Sequence, residues 1–120
     1  MANIFTQAGE EFVTDVLDAT VAVPADYYIG WGTGAGTAVK GDTALVTEAA
    51  ETRVAVVQTQ PTVDTNRFTA TMTSASTQSI TEAGVFTAIT AGTMLLSSDF
   101  AQIALINGDQ IQFQFDLLHA

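Results

Sequence analysis

Polar and apolar side chains alternate without a break in Gln110-Ile111-Gln112-Phe113-Gln114-Phe115-Asp116-Leu117. Because successive side chains of a β-strand point to opposite faces of a sheet, this pattern predicts a strand. Its Ile, Phe and Leu side chains share one face, and its Gln and Asp side chains share the other. We expect the apolar face to pack on a core and the amide-bearing face to meet water or a neighbouring protein.

Shorter segments with strand character precede this one, and Gly, Asn and Pro separate them. The predicted strands are residues 27–31, 52–59, 67–73, Gln78–Phe86 with a bulge or bend at Ala83-Gly84, and 93–100. The predicted turns are Gln60-Pro61, residues 64–66, Ala91-Gly92 and residues 107–109. Residues 42–51 are compatible with a short helical turn or with an irregular connection. Short strands at this spacing predict a mainly β fold, an antiparallel β-sandwich or jelly roll.

The start of the chain has a different period. Phe12 and Val16 fall on one side of a helical wheel and Asp15 falls on the other, which predicts an amphipathic helix that is firmest over residues 10–18. Thr6 is a suitable N-cap, because its hydroxyl can accept a hydrogen bond from a free amide of the first turn.

Length and composition favour a single domain over residues 1–120, with an N-terminal helix or arm at 1–20 and the sandwich at 21–120. Hydrophobic residues make up 48% of the chain, which is enough for a core without disulfides. The chain has no Cys, as expected of a protein made in a reducing cytoplasm. It contains no apolar run of the roughly 20 residues that a membrane-spanning helix needs.

The charge excludes two classes of partner. Thirteen acids face only three bases, Lys40, Arg53 and Arg67, so the formal net charge is −10. Nucleic-acid binding requires several cations that neutralise phosphates, and attraction to anionic lipid requires a basic patch. We therefore expect neither nucleic-acid nor membrane binding.

No constellation for catalysis or cofactor binding is evident in the sequence. The glycines in Gly30-Trp31-Gly32-Thr33-Gly34-Ala35-Gly36 do not have the spacing of a dinucleotide-binding fingerprint, and Lys40-Gly41-Asp42 places an acid where a phosphate loop needs Ser or Thr. This stretch is interpreted as a mobile connecting loop. The one histidine, His119, is next to the end of the chain, a poor position for holding catalytic geometry. We predict no enzymatic activity, no cofactor and no metal.

Four residues are candidates for contacts with another protein: Tyr28, Trp31, Arg53 and Arg67. Aromatic and Arg side chains are enriched at interfaces. Each also has a structural interpretation. Trp31 is more readily explained as a core residue, and each Arg either forms an ion pair within the chain or grips a carboxylate or carbonyl of another subunit. Glu48, Glu51 and Glu82 are the acids that could pair with Arg53.

In four places the chain resembles small structural proteins of tailed bacteriophages. These places are Tyr28-Ile29-Gly30-Trp31-Gly32-Thr33-Gly34, Thr47-Glu48 with Glu51-Thr52-Arg53, Ile80-Thr81-Glu82-Ala83-Gly84-Val85-Phe86, and Gly108-Asp109 with the closing strand. They are similar to a YIGxGTG strand and loop, a TExxETR segment, an ITEAGxF strand and an NxGDxIxFxF-like strand. The resemblance covers nearly the whole chain and implies a virion component with a sandwich or jelly-roll core and no catalytic residues.

The resemblance implies two functions. The first is a capsid decoration (cement) protein on the outer surface of the phage head. As a homodimer or homotrimer it would bridge neighbouring major capsid protein subunits, and many identical copies would together stabilise the shell. The alternative is a tail- or fibre-associated protein that recognises a host receptor or glycan.

Overall fold

The computed structural model describes residues 2–118, which form one helix and eight strands. The elements are β1 (Ala2–Phe5), α1 (Gln7–Leu17), β2 (Tyr28–Gly32), β3 (Val54–Ala55), β4 (Val57–Thr62), β5 (Thr65–Thr73), β6 (Gln78–Phe86), β7 (Met94–Leu105) and β8 (Gln110–Leu118). Sheet A has the strand order β1-β7-β6-β2-β3 and sheet B the order β4-β5-β8, and neighbouring strands are antiparallel throughout. The prediction of a mainly β, antiparallel sandwich with a short N-terminal helix is confirmed.

The alternating segment that predicts the fold forms β8, in regular register with β5. Phe115 lies opposite Phe68, and Phe113 lies opposite Ala70. All four side chains are buried, whereas Gln114 between the two Phe residues is exposed. The core-facing and solvent-facing sides predicted for this strand are therefore both observed.

The main core fills the space between the two sheets. Trp31 from sheet A contacts Phe113 from sheet B edge-to-face, with ring centroids 6.1 Å apart. Tyr27 makes a similar contact with Phe68 at 5.5 Å. Burying each large apolar side chain contributes about 1.5–3 kcal/mol. The fully buried members include Ile29, Trp31, Met72, Ile80, Val85, Leu96 and Phe115.

Helix α1 begins where the sequence predicts. Thr6 is the N-cap, and its Oγ1 accepts a hydrogen bond from the Gly9 amide at 2.9 Å. The same hydroxyl donates to the Met94 carbonyl, which ties the helix start to β7. Phe12 is buried in the core. The residues before Thr6, which were predicted only as part of an N-terminal helix or arm, form β1 along β7.

One strand prediction and one turn prediction were wrong in detail. The predicted strand at 52–59 divides into β3 and β4, which belong to different sheets, so the chain crosses from one layer to the other here. Pro61 lies inside β4 rather than in a turn. Proline is tolerated there because β4 is an edge strand with one side free of a ladder partner in the described part of the chain.

The β6 irregularities also differ from the prediction. Ala83 and Gly84 pair regularly with their neighbours, and the register shifts lie on either side of them, between Ile80 and Glu82 and between Val85 and Phe86.

A long connection between β2 and β3 covers the outer face of sheet A. It brings Leu45 against Phe86 and Met94 in a second, smaller apolar cluster. One isolated bridge joins Gly32 to Glu48. Residues 42–51 are thus an irregular connection, which is one of the two alternatives predicted.

Candidate assembly surface

The glycines of β2 allow the covering connection to lie directly on the strand. A Cβ on Gly30 would lie 2.9 Å from a Glu48 carboxylate oxygen. A Cβ on Gly34 would lie 2.5 Å from a Glu82 oxygen, and one on Gly32 would collide with the Thr47 carbonyl. The Gly-x-Gly-x-Gly pattern therefore serves close backbone packing in this protein.

Glu82 fixes this connection in place. Its side chain is 7% exposed and projects from β6 beneath the loop. Its carboxylate accepts hydrogen bonds from the backbone amides of Gly34 (2.9 Å), Val46 (2.8 Å) and Thr47 (2.9 Å). The strand predicted at residues 27–31 corresponds to β2, which extends to Gly32. In the predicted mobile loop, Thr33 and Gly34 are held by hydrogen bonds to Thr47 and Glu82, and the mobility of the residues after them stays a prediction.

Arg53 is held within the protein by four hydrogen bonds. It makes a bidentate pair with Glu48, at 2.7 and 2.9 Å, and donates to the carbonyls of Ala88 and Ala91 at 2.9 and 2.8 Å. The guanidinium carbon lies 3.6 Å from the centroid of the Phe86 ring, and 9% of the Arg53 side chain is exposed. This geometry matches the structural interpretation of Arg53, and its predicted role at an interface stays a prediction.

Trp31 lies in the core with 1% exposure, as its structural interpretation predicts. Its indole Nε1 donates to Glu51 Oε1 at 3.2 Å. The other Glu51 oxygen accepts hydrogen bonds from the Ala75 amide, at 2.9 Å, and from the side chain of Gln78. Burial alone would raise the pKa of Glu51, but these hydrogen bonds outweigh it and hold that pKa below the ordinary value.

Tyr28 is half-buried in β2, between Phe86 on β6 and Ala55 on β3. It lies on the sheet face opposite to Ile29, whose side chain is fully buried in the main core. A contact between Tyr28 and another protein stays a prediction.

Arg67 lies on the outer face of sheet B, where it pairs with Asp116 on β8. Its Nε and Nη2 reach the two carboxylate oxygens at 2.8 and 3.1 Å. The hydrogen bond from Arg67, together with its charge, holds the pKa of Asp116 below the ordinary value. Both side chains are about one-third exposed, so this pair is accessible to another protein.

The rest of this outer face carries no charged side chain on its strands and is mostly polar, with Val57 and Leu118 as exposed apolar residues. Thr69, Thr71 and Thr73 on β5 lie directly opposite Gln114, Gln112 and Gln110 on β8. The strands of sheet B carry one cation, Arg67, and one anion, Asp116, so their formal charge is zero, whereas the chain carries −10. We call this surface the Thr/Gln face.

An apolar groove borders the Thr/Gln face between β7 and β8. It has a volume of about 180 Å³ and is lined by Phe100, Ile103, Ile111, Gln112, Phe113 and Gln114. Sequence reasoning missed this feature, because β7 was predicted to end at residue 100 and therefore not to reach Ile103.

Residues 2–118 contain no group of three or more His, Cys, Asp or Glu side chains that could hold a metal ion. No helix in the same range is long and apolar enough to span a bilayer. His119 lies outside the described residues, so its predicted lack of a catalytic role is not tested.

Residues 6–119 match the model of a protein family described as Podophage GP4 fiber I protein gp80. The match includes α1 and every described strand except β1. A comparison with curated proteins found no match.

Proposed function

The chain belongs to the Podophage GP4 fiber I protein gp80 family, and we propose from this membership that it is a subunit of a podophage fibre. The coarser expectation, a structural protein of a bacteriophage, is confirmed by the same membership. The observation that carries the proposal is the extent of the match, which takes in nearly the whole sandwich rather than one short motif.

The architecture supports a role as a building block. Two sheets enclose one main core, and the long β2–β3 connection is tied down by Glu82 and Arg53. The carboxylates of Glu51 and Glu82 are engaged in hydrogen bonds that hold the fold together. We propose that the protein acts without catalysis, through the surfaces that it presents to its neighbours.

The family description favours the fibre-associated alternative over capsid decoration. Decoration of the head, contact with the major capsid protein and a position on the outer capsid surface stay predictions from sequence. The two functions differ in where the protein lies on the particle and in how many copies each particle carries.

Gold-labelled antibodies against the protein, bound to intact virions and viewed by electron microscopy, test the proposal. We expect the label at the tail or its fibres. Quantitative mass spectrometry of the same virions should give a copy number far below that of the major capsid protein. Label spread over the head, with a copy number in the range of the major capsid protein, would establish decoration instead.

A further inference from the structure

We propose that the β7–β8 groove, together with the free edge of β8, is the site where a second copy of this chain docks. The inference builds on the proposed fibre function, because a fibre is assembled from repeated subunits. Three observations carry it: the edge of β8, the groove beside it and the distribution of charge.

Strand β8 presents an unprotected edge. It spans nine residues, pairs in unbroken register with β5 and has no second neighbour within residues 2–118. Exposed strand edges are usually blunted by Lys, Pro, a bulge or a covering segment, since a bare edge can pair with another chain. Strand β8 contains no Lys or Pro, and its ladder has no bulge.

The other outer strands of the described protein are blunted. Strand β4, at the opposite side of sheet B, contains Pro61 and an irregularity between Thr59 and Thr62. In sheet A the edge strand β1 has four residues and β3 has two. Strand β8 is therefore the edge strand best suited to pair with a strand of another chain.

The groove supplies apolar area beside that edge. Strand β1 pairs with β7 only as far as Asp99, so the β7 backbone beyond it is a second edge without a described partner. Ile103 lies opposite the fully buried Ile80, so it belongs to the core-facing side of sheet A, yet 39% of it is exposed. An apolar side chain of a docking protein would complete the core at this margin and remove this surface from water.

We take the occupant to be a second copy because the charge distribution allows one to approach at this surface. Two chains of −10 repel each other, and the repulsion is smallest where neither surface carries net charge. The strands of sheet B meet that condition, since Arg67 and Asp116 offset each other. Hydroxyl and amide side chains can hydrogen-bond to an identical surface, because each of them both donates and accepts.

The test compares self-association of three single-residue variants with that of the unmodified protein, by light scattering and sedimentation over a concentration series. Ile103→Lys places a charge in the groove, and Gln112→Glu adds repulsion beside the β8 edge. Val63→Lys is the matched control, because Val63 is an apolar residue in the β4–β5 turn with 94% exposure. We expect the unmodified protein and the control to form oligomers, and both test variants to associate roughly tenfold more weakly or worse.

Circular dichroism and thermal unfolding establish that each variant is folded. The inference is overturned if the unmodified protein stays monomeric at the highest concentration reached, or if both folded test variants associate as the control does. These outcomes concern the purified protein alone. Antibody labelling of virions, by contrast, decides whether the fibre function fails, so the two failures are distinguishable.

Discussion

Replacing Glu82 with Gln removes the charge that holds the connection over sheet A. The carboxylate has two oxygens: one accepts from Val46, and the other accepts from both Gly34 and Thr47. An amide of the same shape has one oxygen and one NH₂ group. The amide oxygen can keep the hydrogen bonds made by one carboxylate oxygen, but the NH₂ group then faces a backbone N–H where the other oxygen accepted one.

The loss can be estimated from these three hydrogen bonds. A bond to a charged acceptor contributes about 1.5–3 kcal/mol, and a neutral one contributes about half as much. Gln at position 82 loses the bond from Val46 and weakens the two from Gly34 and Thr47, which together lower the free energy of unfolding by about 3–6 kcal/mol. For a domain of this size the melting temperature should fall by at least about 10 °C.

Thermal and denaturant unfolding measure the total effect, and hydrogen exchange locates it. The amides of Gly34, Val46 and Thr47 should exchange faster in Glu82→Gln, whereas amides in the β5–β8 ladder should respond only to the change in global stability. Glu11→Gln is the control: it makes the same chemical change at an exposed position on α1, where we expect a change of about 0.5 kcal/mol or less.

The reasoning would be refuted if Glu82→Gln melted within a degree or two of Glu11→Gln while its loop amides kept their protection. Such a result would mean that the glycine-packed backbone alone holds the connection and that the buried carboxylate contributes little.

Three further predictions concern other anchors of the fold. Arg53→Lys should lower the free energy of unfolding by about 2–4 kcal/mol in denaturant titration. One ammonium group cannot keep both the bidentate pair with Glu48 and the hydrogen bonds to the two carbonyls. An unchanged denaturation midpoint would contradict this prediction. The difference in unfolding free energy between the wild type and Glu51→Gln should shrink as the pH falls below 4.5, the ordinary pKa of Glu. Because the pKa of Glu51 is lowered in the folded protein, its ionised form stabilises the fold above pH 4.5, and this stabilisation is lost as the folded carboxylate becomes protonated. A difference that does not change with pH would refute this prediction. Gly108→Ala should lower the free energy of unfolding by about 1 kcal/mol, because Gly108 has a φ of +94° that Ala adopts only with strain. Gly41→Ala is the control, because its surroundings are equally open and its melting temperature should not fall. Equal melting temperatures of the two variants would exclude backbone strain as the cause.

Sequence periodicity was sufficient for the elements whose two faces differ in polarity. The β8 segment alternates because one face meets the core and the other meets solvent, and Gln78–Phe86 was predicted with the observed bounds. The helix cap at Thr6 was also predictable, because capping is a local interaction between near neighbours in sequence.

Features that depend on distant segments were not predictable in this way. The division of residues 52–59 between two sheets depends on which strands lie beside each half. Glu82 was considered only as a partner for Arg53, whereas its hydrogen bonds come from backbone amides some 35 to 48 residues earlier in the chain. The available signal was an acid directly before the apolar and small residues Ala83-Gly84-Val85-Phe86 of β6, since a buried carboxylate requires donors.

We propose this location for an assembly surface because of how the three cations and the large aromatic side chains are used. From sequence, Arg53 and Trp31 are candidates for an interface, with a structural role favoured for each, and their polar groups are bound to Glu48 and Glu51 within the chain. Their role at an interface stays a prediction. The chain has only three basic side chains, and all three form ion pairs within it. Few cations therefore remain to form ion pairs with the acids of a second copy. A neutral sheet face with a bare strand edge is the surface on which two such acidic chains can approach, so residues at the β8 edge and the adjoining groove should govern assembly more than the aromatic and Arg candidates do.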